Sequence, residues 1–139
     1  TLAELLEYNW GQMTKNRGVL DLKTYAKFKK ESEYAAPGYI EPTAYSGDVS
    51  GAGVKKITQA EADKILAKIE KEAKKAPNEY TARDRLLEHH ANVFIPCEWP
   101  IAYARAAGGL YERLIPMMMA EAAKAGGPEN VRVTFWFDN

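Results

Sequence analysis

Glu88, His89 and His90, followed by Cys97 and Glu98, form the stretch in which imidazole, thiol and carboxylate converge. Such groups can pair as base and nucleophile, or hold zinc together with a carboxylate. Their spacing argues against both. Neighbouring residues on a helix point about 100° apart, so His89 and His90 do not grip one ion as an i, i+4 pair would. No His-Glu-x-x-His pattern accompanies them. The expected arrangement is a helix end with one histidine in solvent near the last carbonyls, and Cys97 as a small buried group. We therefore assign no catalytic, cofactor-binding or metal-ligating residue. An enzyme, or an accessory enzyme subunit, centred on His89, His90, Cys97 and Glu98 stands as the alternative reading.

Two further segments have the composition of a ligand site. The run Gly47-Asp48-Val49-Ser50-Gly51-Ala52-Gly53 is glycine-rich enough for a phosphate cradle, but it lacks the Gly-Lys-Ser/Thr ending and a preceding strand. It reads as a loop. The segment 58–76 carries Lys64, Lys68, Lys71, Lys74 and Lys75, just after Lys55 and Lys56, with Glu61, Asp63, Glu70 and Glu72 interleaved. Such a face is usually solvated, and a nucleic-acid-binding module using this helix is the third reading.

Apolar groups in unusual places point elsewhere. Residues 35–54 lose all periodicity and are punctuated by proline and glycine, yet Tyr34, Tyr39, Ile40 and Tyr45 are spaced along them. An irregular segment of that length is uncommon inside a compact domain and reads as an extended arm. Met117 and Met118, within Leu114-Ile115-Pro116-Met117-Met118-Met119, make a helix that is apolar around much of its circumference. At the end, Val131, Val133, Phe135 and Phe137 alternate with polar residues and Trp136, so 131–137 is expected to be a strand whose partner another polypeptide supplies. Tyr34, Tyr39, Ile40, Tyr45, Met117, Met118, Val133, Phe135 and Phe137 are accordingly the candidate interface.

The elements that must position these groups are read mainly from caps. Thr1 stands three residues before Glu4 and Thr58 three before Glu61, each the spacing of a capping box. Asp21 and Asn78 are placed to cap helices through Tyr34 and to about Ala91. After Thr58, Ala62, Ile65, Leu66, Ile69 and Ala73 follow one buried stripe. The first helix is expected to run on past Met13 and break at Asn16-Arg17-Gly18. Val93-Phe94-Ile95 is a strand or a buried connection closed by Pro96, and Pro100 opens a helix at Ile101. Pro116 should force a kink or a restart near Ile115, and Gly126-Gly127-Pro128 a stop.

The segment Ile57-Thr58-Gln59-Ala60-Glu61-Ala62-Asp63-Lys64-Ile65-Leu66 resembles the helix start that follows the active-site lobe of phage-type lysozymes. That family's Gly-Tyr-Gly-His-Thr-like element and the catalytic glutamate before it have no counterpart here. The resemblance implies a shared capping box, and no functional residue is carried over.

Composition sets the frame. The 139 residues hold 46% apolar types, enough for one core, and 19 basic against 19 acidic side chains, so no global field selects a polyanion. One cysteine cannot form an internal disulfide. Neither a signal peptide nor a membrane-spanning run is evident, and the expected location is cytoplasmic or within an intracellularly assembled particle. The expected fold is mainly α: a single small helical domain over 1–139 of five to six helices, with 35–54 as a long irregular arm and 131–137 as a C-terminal β-strand. The expected function is a small non-catalytic subunit or adaptor contacting another protein chain or its own copies within a larger assembly, with no cofactor and no membrane.

Overall fold

A computed structural model describes residues 1–35 and 40–134. In chain order the elements are α1 (Leu2–Glu7), β1 (Met13–Asp21), α2 (Leu22–Tyr34), β2 (Lys55–Lys56), α3 (Gln59–Ala73), α4 (Glu79–Glu88), β3 (Val93–Ala102), α5 (Tyr103–Ala107), a π-helical turn (Leu110–Leu114), α6 (Ile115–Ala125) and a short 3-10 turn (Pro128–Asn130). The fold is mixed α/β, with a three-stranded sheet of order β1-β3-β2 in the middle of the chain. This corrects the expectation of a mainly helical domain with a C-terminal strand. Residues 131–134 form no strand. Their alternation is real, but the backbone bonds of Val131 run from Leu2 N to its carbonyl at 2.9 Å and from its own N to Pro128 O at 3.3 Å, and Val131 and Val133 are only half-buried. Phe135 and Phe137, like Tyr39, lie outside the described residues.

The chain gathers into two compact units, one of residues 15–100 and one of residues 1–14 with 101–139. In the first, α2 is capped by Asp21, whose carboxylate accepts from Thr24 N at 2.9 Å. The capping box of Thr58 and Glu61 starts α3, and Asn78 caps α4. β2 runs parallel to β3, with Lys55 opposite Val93 and Lys56 opposite Phe94, so α3 and α4 together make the crossover between adjacent parallel strands. Val93, Ile95, Cys97 and Trp99 turn the buried face of β3 toward Leu20, Leu22, Tyr25, Ile57, Ala62 and Ile69. Phe28, Ile65, Leu66, Leu86 and Leu87 cover the flanks.

Strand β3 passes through two prolines without interruption. Lys55 N donates to Asn92 O at 2.9 Å and Ile57 N to Phe94 O at 3.0 Å, which puts the backbone polar groups of the even-numbered residues on the β2 side. β2 is only two residues long, so from Pro96 onward that side has no ladder to lose. Pro96 and Pro100 both fall there, where a missing N–H costs no sheet bond.

In the other unit Thr1 caps α1, its hydroxyl accepting from Glu4 N, and the Trp10 indole donates to Leu5 O at 2.7 Å where the helix ends. Pro116 has no N–H to give to the preceding turn. Residues 110–114 widen into a π-helical turn and α6 restarts at Ile115 with the proline in its first turn. Gly126, at φ 81°, closes α6 in the left-handed conformation. Leu2, Ile115 and Ala122 form the buried centre, with Trp10, Met118 and Val131 packed on it. Among the described residues no helix is long and apolar enough to cross a membrane.

Candidate interaction surface

The histidines and the thiol do not meet in one site. His89 is exposed just beyond the end of α4, while His90 borders a cleft with Asp21, Leu22, Leu87 and Phe94. Cys97 lies at a different cleft, of about 430 Å³, among Arg17, Gly18, Gln59, Pro96 and Glu98. Its side chain is buried on β3, and that burial pushes the thiol up to about 11. A thiol held protonated at neutral pH is a packing group and a poor nucleophile. Glu98 is engaged by Arg17, Nε to Oε1 at 2.7 Å. Among the described residues no three His, Cys, Asp or Glu side chains gather closely enough to hold a metal ion.

The glycine-rich loop closes on itself. Asp48 accepts from Lys56 Nζ at 2.5 Å and from Val49 N at 2.8 Å, and Gly51 and Gly53 take positive φ. A carboxylate on Lys56 occupies the cation that a phosphate would need, and the loop leads into β2 and not into a helix N-terminus.

Part of the expected arm packs on its own unit. Ser46 bridges Val19 in antiparallel fashion, with N···O distances of 2.8 and 3.1 Å, and Pro42 is buried. Tyr45 lies edge-on to Trp99, and its hydroxyl accepts from Asn16 Nδ2 at 3.1 Å. Gly18 makes this possible: a Cβ there would stand 2.9 Å from both Trp99 and Tyr45. Tyr34, at the end of α2, is 81% exposed, and Ile40 is half-buried at a shallow cleft with Lys27, Lys30 and Tyr34. Neither a family model nor a curated protein nor a solved structure matches the chain.

Exposed apolar groups concentrate on the unit of residues 1–14 and 101–139. Seven of the ten large apolar side chains exposed among the described residues belong to it: Leu6, Tyr8, Met13, Tyr111, Leu114, Met117 and Met119. Helical period explains the division within α6. Ile115, Met118 and Ala122 share the inward face, so Met118 packs on the core, whereas Leu114 and Met117 fall one turn apart on the outward face. On another flank Leu6 and Met119 border an apolar cleft of about 250 Å³ with Ala122, Ala123 and Pro128. Of the residues expected at an interface, Met117 is exposed and Met118 packs inward; Leu114 and Met119, in the same apolar stretch, and Leu6 are exposed as well.

Proposed function

We propose that this chain is a non-catalytic interaction subunit whose contact face is the outer side of α6 and the turn before it, and that a second copy of the chain covers that face. The observation that carries this reading is the imbalance of burial in the unit of residues 1–14 and 101–139. Among its described residues four apolar side chains are buried, Leu2, Ile101, Ile115 and Ala122, while seven large apolar side chains are exposed. Apolar area exposed on that scale relative to the core marks an association surface. Methionines suit it, because unbranched side chains adapt to a partner's contour. The dispersal of His90 and Cys97 between two clefts favours this reading over an enzyme centred on them. Sedimentation of the full chain over a range of concentrations tests it: the mass should rise with concentration, and invariance up to about millimolar would refute self-association through this face.

A further inference from the structure

Charge balance over the whole chain conceals a local imbalance on α3. Each of its four carboxylates is engaged. Glu61 closes the capping box on Thr58 N at 2.8 Å, and Asp63 takes Lys29 Nζ at 2.6 Å and the Tyr25 hydroxyl at 2.9 Å. Glu70 takes Arg83 through Nε and Nη2 at 2.8 and 2.9 Å, and Glu72 takes Lys75 Nζ at 2.7 Å. Two of these partners, Lys29 and Arg83, come from α2 and α4, so the tertiary fold draws negative charge away from the helix's outer surface. Lys64, Lys68 and Lys71 are exposed and have no carboxylate within 4.0 Å among the described residues.

These lysines are aligned. They follow i, i+4 and i+7, which places them on one face of α3, opposite the buried Ala62, Ile69 and Ala73. At about 1.5 Å per residue the stripe is about 10 Å long. We propose that this stripe is a sequence-independent contact for the phosphodiester backbone of nucleic acid, beyond the protein-protein role of the other unit. A lysine is a point charge that reads phosphate and no base edge, and the stripe carries lysines alone. An anionic membrane fits less well, because a helix lying in that interface buries large apolar side chains, and none of those exposed in this protein lies on α3.

The test is fluorescence anisotropy of a labelled DNA duplex of about 30 base pairs with the full chain, repeated from low to moderate salt. Neutralising about three phosphates gives a slope of about −2.7 in log K against log salt, a loss of roughly 40-fold between 50 and 200 mM. The triple variant Lys64→Gln, Lys68→Gln, Lys71→Gln should weaken binding at least tenfold and flatten the slope. A variant with the same charge change elsewhere, Lys15→Gln, Lys30→Gln, Lys124→Gln, should shift it less than threefold. Far-UV circular dichroism checks the fold, and the single exposed change Lys68→Glu repeats the comparison if the triple variant loses helix. The proposal is overturned if the wild type does not bind the duplex at low salt, or if both triple variants weaken it equally. Stripe-dependent binding to phosphatidylserine vesicles without binding to the duplex overturns it as well.

Discussion

Tyr45 stands edge-on against Trp99, with ring centroids 4.8 Å apart and planes at 68°, across a backbone that only glycine at position 18 keeps low enough. A segment with no regular structure is thereby fixed to the sheet. Gly18→Val should separate the two rings and cost about 1–3 kcal/mol, as overpacking does elsewhere. The checks are a lower denaturation midpoint and cleavage near Tyr45 by a dilute protease. Unchanged stability would mean that Tyr45 does not dock there.

Cys97 should resist modification. A thiol pushed up to about 11 carries about a hundredfold less thiolate at neutral pH than an unperturbed one at 9.0, before access is considered. Alkylation of the native protein is expected to be at least that much slower than in denaturant. A native rate equal to the denatured one would show the side chain free of the core.

Acid should act partly through Asp63. The Lys29 ammonium, assisted by the Tyr25 hydroxyl, holds this carboxyl below the usual carboxylate range. The folded state then binds fewer protons than the unfolded one, so the stabilisation is complete above the unfolded pKa near 4 and is lost as pH falls through the folded value. In melting profiles, Asp63→Asn should reduce the loss of stability between about pH 5 and 2 relative to the wild type. An identical acid limb in the two proteins would remove the pair from the account.

The helix starts are legible because their signals are local, whereas the first helix, expected to run past Met13, ends at Glu7 and gives way to β1. Asp21, Thr58 and Asn78 each accept from a backbone N–H three residues on, as their spacing requires. Pro116 likewise announced the restart at Ile115. The sheet was not legible, for two physical reasons. Gly18 reads as a chain breaker, yet here it serves close approach to Trp99 and Tyr45, which depends on partners distant in sequence. Pro96 reads as a strand terminator and Pro100 as a helix opener, and only the shortness of β2 shows that their side of β3 needs no donors. The terminal alternation misled in the opposite sense, since period two describes which face is apolar and says nothing about whether a ladder is present at 131–134. Which side chains of the Met-rich stretch are exposed depends on how α6 is rotated on Leu2 and Ile115, which the sequence does not encode locally.

Glu70 and Arg83 fasten α3 to α4 at the surface. Arg83→Met should cost at most about 1 kcal/mol, the scale of a half-exposed bidentate pair. In DNA-binding assays it should also weaken the duplex contact modestly, because loss of the guanidinium leaves Glu70 uncompensated and the unit one charge less positive. Tighter duplex binding by this variant would contradict that electrostatic picture.

The most direct measurement of the interaction account is sedimentation equilibrium on the wild type and on the double variant Leu114→Lys, Met117→Lys. Both side chains are about half exposed or more and point away from the core formed by Leu2, Ile115 and Ala122. The account predicts a wild-type mass that rises with concentration and a variant that stays at monomer mass, with melting temperatures of the monomers within about 3 °C of each other. A variant that associates as the wild type does, or one that unfolds while its association is unchanged, would show that these side chains serve the fold and not a partner.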